Sequence, residues 1–423
     1  MKKTEKIKNN LLLITDINRN VSTVCISLYF RVGSLYENKD NCGITHLTEH
    51  MFFRRLNSIM NKELYYRMES IGGAIRGITA RQYVCFELTV LSEFADSAFN
   101  LMNEFLEDFK WTDNEVKAEK QIILNEIAQV GNSRDELAAS QTGYDVFLLP
   151  IKGTPDSLKT ITAAQVNKWK SEYFKCGNCC FIITGNIGKL SLNEIRKALN
   201  SHKPASTLQP VEIFPQTAFN RTSDEYFYDD GDENYADIFI YFDLDFRSLD
   251  WTQVMIMFDA FCNGDGSKLS FAMKDELGMI YSLDSEVKEY GKYGSLKISW
   301  SIRNDKLTES LKLFFSLLKE FKSGISQNEF DSSVVFSTLN LKKYNDRPDD
   351  LNNMYGHYDY IVGIPFSVDD SVNKYGLVSR VDIDSVSQKV FKLENMFIEV
   401  DFNKNHIKET MLKETIVDLA NNM

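Results

Sequence analysis

The feature that most limits the fold of this 423-residue chain is an internal repeat of secondary-structure patterns. Apolar residues at helical spacing fill residues 92–109, and a second helix is predicted from Thr112, which stands three positions before Glu115 as in a capping box. The later half contains a similar apolar helix at 307–321, followed by another such box. The offset between the copies is roughly 215–220 residues, and self-similarity at a fixed offset indicates an internal duplication.

Each copy is predicted to be an α+β unit. Strand-like runs at 24–32 and 236–244 precede the helices, and longer strand pairs are predicted at 74–91 and 279–302. Two homologous halves of about 200 residues each would satisfy this pattern, because a sheet with one apolar face needs helices to cover it. We therefore expect an antiparallel sheet with packed helices in each half.

The boundary between the halves is predicted from proline content. Residues 202–224 hold three of the seven prolines of the chain among polar residues, which is typical of a linker. The expected organisation is an N-terminal half at 1–201, this linker, and a C-terminal half at 225–423.

Composition excludes several classes of protein. The net charge of −12 argues against a nucleic-acid partner, because such binding depends on neutralising phosphates with cations. Apolar runs fall short of the roughly 18–20 residues that cross a membrane, and the N-terminal pattern does not resemble a secretory signal, so a cytoplasmic protein is expected. The seven cysteines do not suggest a disulfide framework, and Cys176, Cys179 and Cys180 are interpreted as buried thiols.

Two of the five histidines lie in one short motif, His46-Leu47-Thr48-Glu49-His50. Residues four apart on a helix share a face, so both imidazole rings can reach one metal ion. Glu49 borders that face, where its carboxylate can take a proton from an attacking water. The order is the reverse of HExxH and is the signature of the inverted-motif zinc peptidases.

A catalytic zinc site needs a third protein ligand and an open position. Glu119 and Glu126 lie two turns apart on the helix predicted to begin near Thr112, among apolar neighbours, and buried carboxylates need a partner or a metal. We assign Glu126 as the third ligand and Glu119 as a residue that steadies the site by hydrogen bonds. Taken alone, the two glutamates would be interpreted as solvent-facing; together with the HxxEH motif they predict a zinc site.

These motifs resemble the pitrilysin/insulinase family, and within it the short-chain branch that includes mitochondrial processing peptidase. Residues 31–37 and 43–53 carry the resemblance, together with a glutamate 76 positions after His50 in an E-x6-E pattern. Further residues typical of the family follow along the chain at Gly72-Gly73, Thr79, Gly153-Thr154, Ser157, residues 160–162, Gly278 and Tyr281-Ser282. The resemblance implies the two-half fold, a zinc cofactor, and hydrolysis of extended or unfolded peptides inside an enclosed chamber.

Two positions depart from the family pattern. Arg76-Gly77 stands where the family often has Asn-Ala beside the substrate, so the subsite preference stays open. In the second half the family places an arginine seven positions before its tyrosine, whereas here Lys274 precedes Tyr281 and cannot make arginine's bidentate contact. The resemblance implies a second chain of similar size. In a homodimer its Lys274 and Tyr281 would face the tetrahedral intermediate, and in a heterodimer a paralogue without the zinc motif would bring the missing arginine and a tyrosine. Homodimer and heterodimer both remain open, with a paralogous heterodimer slightly favoured because the arginine position has changed.

The sequence therefore predicts a zinc metalloendopeptidase that acts on a peptide substrate, which could pair with the strand at 74–79 by β-addition. One alternative is a non-catalytic structural or interaction subunit of a two-chain peptidase; the intact motif argues against it. The counterpart window in the second half, 256–266, has no histidine and is predicted to be an inert copy. A dedicated maturation protease that trims a leader from a peptide is a second alternative with the same chemistry, and it stays open.

Overall fold

A computed structural model describes residues 2–130, 147, 149–208, 225–228, 232 and 234–422. These residues form two compact units. The first contains the described residues up to position 208 and also takes in Lys343–Phe366. The second contains the described residues from 225 to Lys342 and those from Ser367 onward.

The first unit is built on a six-stranded sheet with the order β1-β2-β6-β3-β5-β4. Its strands are β1 (Lys3–Lys6), β2 (Leu12–Ile17), β3 (Thr23–Phe30), β4 (Ala74–Thr79), β5 (Val84–Leu91) and β6 (Cys179–Gly185). Neighbours pair antiparallel except β2 and β6, which are parallel. Among the described strands, β4 therefore forms one edge of this sheet.

Helices of the first unit pack against this sheet and against one another. They are α1 (Ile44–Ile59), α2 (Leu64–Ser70), α3 (Ala95–Asn103), α4 (Asp113–Val130), α5 (Pro155–Thr160), α6 (Ala163–Tyr173) and α7 (Leu192–Leu199). The capping box predicted before α4 is present: the Thr112 amide donates to Glu115 at 2.8 Å, and the Glu115 amide donates to the Thr112 hydroxyl at 3.4 Å. Two orphan amides are satisfied in this way, which explains why α4 begins there.

The second unit has a five-stranded sheet with the order β7-β11-β8-β10-β9. Its strands are β7 (Glu225–Tyr228), β8 (Tyr235–Asp245), β9 (Leu283–Tyr290), β10 (Tyr293–Arg303) and β11 (Met396–Asp401). Its helices are α8 (Trp251–Phe261), α9 (Lys268–Ser270, continued by a π-helical turn at Phe271–Glu276), α10 (Leu307–Ser323), α11 (Gln327–Lys343), α13 (Val368–Tyr375), α14 (Arg380–Val390) and α15 (Glu409–Asn421).

The two sheets confirm the predicted α+β class and the duplication. Reading from one end, the order β4-β5-β3-β6-β2 of the first sheet matches β9-β10-β8-β11-β7 of the second. In both sheets the parallel pair stands at the same place, β2 with β6 and β7 with β11. The predicted antiparallel pairing holds for the remaining neighbours, and the two strands of each parallel pair are far apart in the chain, which leaves room for the long connection that parallel pairing needs.

Segment Lys343–Phe366 packs on the first sheet through α12 (Pro348–Met354) and a π-helical turn at Tyr355–Val362. Asn352 is fully buried; its amide donates to the carbonyls of Cys25 at 3.2 Å and Ile182 at 3.3 Å, and its oxygen accepts from the Ser27 hydroxyl. This segment lies inside the range that the sequence assigned to the C-terminal half. Polar groups on the open face of β3 and β6 account for its placement, since buried polar groups need partners.

The linker predicted at 202–224 falls mostly outside the described residues, which resume at 225 after position 208, so the boundary stays a prediction. Within the part of the chain that is described, helices long and apolar enough to cross a membrane do not occur. The cytoplasmic location likewise stays a prediction.

Candidate metal centre

Helix α1 carries the HxxEH motif and is fixed by the core on its other side. Leu47, Met51 and Phe52 are buried, each with at most 1% of its surface exposed. The Phe52 ring packs against five other aromatic rings, those of Phe86, Phe105, Phe109, Trp111 and Phe174. Large aromatic contacts of this kind dominate core energetics, so the polar face of α1 has a fixed direction.

The start of α1 is capped from a distance by Glu37. Gly43 precedes the helix in the left-handed region, with φ at +89°, and offers no side chain to the helix amides. The Glu37 carboxylate instead accepts from the amides of Gly43 and Thr45, both at 2.8 Å. Burial raises the pKa of Glu37 to about 7, against the opposing effect of these hydrogen bonds. Glu37 was part of the resemblance, but its capping role could not be predicted without the turn that brings it to the helix.

The two histidines lie side by side at one end of this polar face, with ring centroids 4.6 Å apart. His46 is 8% exposed, and its Nδ1 is buried without a hydrogen-bond partner. Burial and the neighbouring His50 lower the pKa of His46 to about 3, so it stays a neutral imidazole, the form that binds metals. For His50, burial lowers the pKa, but the hydrogen bond and charges of nearby glutamates outweigh it and raise the pKa overall.

Helix α4 brings both predicted glutamates to His50. Glu119 is 6% exposed, and its Oε1 lies 3.1 Å from His50 Nδ1 while its Oε2 lies 3.4 Å from the Arg54 guanidinium. Glu126 Oε2 lies 3.7 Å from His50 Nε2. The two carboxylates therefore meet opposite nitrogens of one ring, which is the arrangement expected when one supports a ligand and the other is a ligand.

Glu126 has a second partner that sequence reasoning missed, since the Lys152 ammonium lies 3.0 Å from its Oε1. Burial tends to raise the pKa of Glu126, but Lys152 and the two histidines lower it overall, so the carboxylate is ionised. No motif in the sequence marked Lys152, because it reaches the site from the loop before α5.

Glu49 is 7% exposed and faces strand β4. Its Oε2 accepts from the Thr79 hydroxyl at 3.0 Å. A Cβ at Gly77 would collide with Glu49 Oε1 and come within 2.6 Å of the Phe53 ring, so the strand passes this carboxylate more closely than a larger residue allows. Burial raises the pKa of Glu49, which makes its carboxylate a stronger base.

The donor set fits zinc. Ligand atoms of His46, His50 and Glu126 all lie within 4.8 Å of one another, and among the described residues they are the one group of three His, Cys, Asp or Glu side chains that converges in this way. Two imidazole nitrogens and one carboxylate oxygen form a donor set typical of catalytic zinc. The unpartnered buried Nδ1 of His46 supports the same conclusion, because buried polar atoms are rarely left without a partner.

A cavity of about 440 Å³ adjoins Glu49 and His50. Its lining includes Phe53, Tyr65, Ile75, Ile122, Arg54 and Arg76. Arg76 donates through Nε to Glu87 on the neighbouring strand at 2.9 Å. Its positive charge is therefore paired within the sheet, and this contact accounts for an arginine at the position where the resemblance leads one to expect a small polar residue.

Lys274 and Tyr281 belong to the second unit. The Lys274 ammonium lies 2.9 Å from Asp265, and Tyr281 is 94% exposed. Their roles at a tetrahedral intermediate stay predictions. The three clustered cysteines, Cys176, Cys179 and Cys180, are free and buried, as expected.

Two models of known families match this chain. The first, described as Insulinase (Peptidase family M16), matches residues 13–145 and includes every candidate metal ligand. The second, described as Peptidase M16 inactive domain, matches residues 160–334 and includes Lys274 and Tyr281.

Individual proteins are similar over different shares of the chain. A zinc protease of Bacillus subtilis, YmxG, is 20% identical over 400 residues, which cover 91% of this chain and 94% of that protein. A probable mitochondrial-processing peptidase subunit beta of Arabidopsis thaliana is 24% identical over 217 residues, or 49% of this chain and 41% of that protein. The crystal structure of a protease from Helicobacter pylori matches with a TM-score of 0.78 at 15% identity, covering 95% of this chain and 99% of that one. At such identity the structural match supports the fold alone.

Proposed function

Because the chain belongs to the insulinase family of peptidases, family M16, we propose that it is a zinc-dependent endopeptidase that hydrolyses extended or unfolded peptides. One observation carries the proposal: His46, His50 and Glu126 converge within 4.8 Å while the buried Glu49 stands beside them. The names of the relatives, a zinc protease and a processing peptidase subunit, agree with it. A non-catalytic subunit would need neither a complete donor set nor a buried base.

The proposed roles follow from the contacts. His46, His50 and Glu126 would hold zinc, which when bound polarises the scissile carbonyl and makes water more acidic. Glu49 would take the proton of the attacking water and pass it to the leaving amine, and Thr79 would keep its carboxylate oriented. Glu119 would fix the tautomer of His50 by accepting from Nδ1, so that Nε2 is free to bind the metal.

The substrate is proposed to lie along β4. That strand ends the order of described strands, so its outer edge can accept a peptide by β-addition, and its residue Gly77 brings the backbone close to Glu49. The neighbouring cavity, with Phe53, Tyr65 and Ile75 among its walls, would take a large apolar side chain. Arg76 is paired with Glu87, which makes it less available to recognise an acidic group.

A second chain is proposed to complete the enzyme. The Arabidopsis thaliana relative is named as a subunit, which supports a two-chain arrangement of this kind. An enclosed chamber, a homodimer or a paralogous heterodimer, and a role for Lys274 and Tyr281 at the reaction centre all belong to this part of the proposal. Processing of a dedicated peptide, as opposed to general peptide turnover, is the narrower form of the same activity.

Metal content and peptide cleavage by the purified chain test the proposal together. Native mass spectrometry should find about one zinc per chain, removed by a chelator and restored by added zinc. Unstructured peptides should be cut at internal bonds only by the loaded protein, alone or with a paralogous chain, and the mass in solution would identify the assembly. A chain that binds no zinc, or a loaded chain that cleaves nothing in either assembly, would contradict the proposal.

A further inference from the structure

We propose that Lys152 is a positioning residue of the metal centre, which holds Glu126 so that a single carboxylate oxygen faces the two histidines. The inference rests on the proposed function, since it concerns how the chain prepares a zinc ligand. The two carboxylate oxygens of Glu126 have different neighbours. Oε1 lies 3.0 Å from the Lys152 ammonium, and Oε2 lies 3.7 Å from His50 Nε2.

The position of Oε2 fits a ligand. In a tetrahedral zinc site with bonds of about 2.0–2.2 Å, neighbouring ligand atoms stand about 3.3–3.6 Å apart. The separation of 3.7 Å between Oε2 and His50 Nε2 is close to this range. Oε1 is engaged by Lys152 and would not be needed as a second donor, which leaves the remaining position open for water and substrate.

The backbone fixes where Lys152 stands. A Cβ at Gly43 would lie 2.7 Å from the Lys152 carbonyl oxygen and 2.7 Å from the Gly153 Cα, so the two loops pass in close contact. The Ser157 hydroxyl donates to the Cys42 carbonyl at 2.7 Å across the same junction. The loop that carries Lys152 is therefore anchored to the turn that begins α1, the helix of His46 and His50. The same junction therefore places the backbone of Lys152 beside the start of the helix that carries both histidines.

Positioning and simple charge predict opposite changes in zinc affinity. If Lys152 acted only as a nearby positive charge, its removal would strengthen zinc binding, because like charges repel. If it holds Glu126 in place, its removal should weaken zinc binding, by about 10–100-fold, the usual loss when a group supporting a ligand is removed. The sign of the change therefore separates the two roles.

The experiment measures the zinc dissociation constant of four full-length proteins by competition with a chromophoric chelator. They are the wild type, Lys152→Met, Lys152→Arg, and the control Lys159→Met, which removes a lysine seven positions away that pairs with Asp156. We expect weaker zinc binding in Lys152→Met, and values close to wild type in Lys152→Arg and Lys159→Met. The visible absorption of the cobalt-substituted proteins should change only in Lys152→Met, because the coordination by Glu126 changes there.

Equal or tighter zinc binding by Lys152→Met, with an unchanged cobalt spectrum, would overturn the positioning role and leave the proposed function intact. A wild type that binds no zinc would overturn both. Thermal unfolding of the metal-free proteins checks that the variants fold. If Lys152→Met melts well below the wild type, the neutral and more polar Lys152→Gln provides the same comparison and should also bind zinc more weakly.

Discussion

The two halves of the chain build the same scaffold and put different chemistry on it. In chain order, α8 follows β8 and precedes the hairpin β9-β10, just as α1 follows β3 and precedes the hairpin β4-β5. Helix α11 corresponds in the same way to α4. On α1 the polar residues four apart are His46 and His50, whereas the polar pair at the end of α8 is Asp259, inside the helix, and Asn263, two positions beyond its last residue. In the second half, Asn263 donates to Asp259 Oδ1 at 2.6 Å, and the Ser337 hydroxyl of α11 donates to Oδ2.

The two polar clusters differ in whether their hydrogen bonds are satisfied by protein groups. In the first half, the Nδ1 of His46 is buried without a partner and three ligand atoms converge. In the second half, both oxygens of Asp259 already accept hydrogen bonds from protein groups. The same pair of helices can therefore carry either arrangement, and about three side chains decide between converging potential ligand atoms and a polar cluster whose hydrogen bonds are satisfied.

The helix starts differ in a related way. Helix α8 is capped locally, since Asp250 accepts from the amides of Thr252 and Gln253. Helix α1 has no such residue and depends on Glu37 from the preceding loop. A local cap sets only the helix start, while a distant cap also ties that start to another segment, which suits a helix that must hold ligands in position.

The largest effect should come from removing a proposed ligand in the first half, compared with removing the hydrogen-bond donor Asn263 in the second. His50→Ala should abolish stoichiometric zinc binding and with it peptide hydrolysis, because two remaining protein ligands do not hold catalytic zinc. Asn263→Ala should leave both unchanged. Zinc content by native mass spectrometry and cleavage of an unstructured peptide measure these outcomes, and Glu126→Gln should behave like His50→Ala. Full zinc occupancy in Glu126→Gln would mean that another residue is the third ligand.

Next in size is the loss of the base without loss of the metal. Glu49→Gln should retain zinc yet lose at least about 100-fold in peptide cleavage, because an amide cannot accept the proton. A control in the second half is Cys262, which directly follows α8 and is buried in the core, and Cys262→Ser should leave cleavage within the range of wild type once folding is verified. Near-normal cleavage by Glu49→Gln, free of contaminating protease, would remove Glu49 from the mechanism.

How far the sequence could predict these halves depended on how local each signal was. The capping box at Thr112 and the HxxEH face are set by spacings of a few residues, the repeat is visible because such local patterns occur twice, and all three are found in the structure. The role of Lys152 and the packing of Lys343–Phe366 on the first sheet depend on contacts between segments far apart in the chain. Such contacts leave no periodic pattern, so they could not be predicted from one sequence.

The buried carboxylate Asp259 allows a further comparison, now through stability. Burial raises the pKa of Asp259 to about 6, opposed by the hydrogen bonds from Ser337 and Asn263. Because the folded-state pKa lies above the unfolded value, the free energy of unfolding is highest below the unfolded pKa, near 4, and falls as the pH rises from there through about 6. The loss corresponds to about 3 kcal/mol at neutral pH, as an upper figure.

The smallest effect should therefore be seen in Asp259→Asn, which removes the ionisable group at nearly constant shape. At pH 4 the variant and the wild type should unfold at similar temperatures, because the wild-type carboxyl is protonated in the folded state and only about half ionised in the unfolded state. At pH 7.5 the variant should unfold at a temperature a few degrees higher, since only the wild type must bury a charge. Thermal unfolding followed by circular dichroism at both pH values measures this, with zinc content as the control that should not change. A variant less stable than the wild type at pH 7.5 would mean that the ionised carboxylate stabilises its hydrogen-bond partners by more than its burial costs. The second half would then hold a carboxylate suited to its charged form, and the contrast with the metal-ready first half would be weaker than the contacts imply.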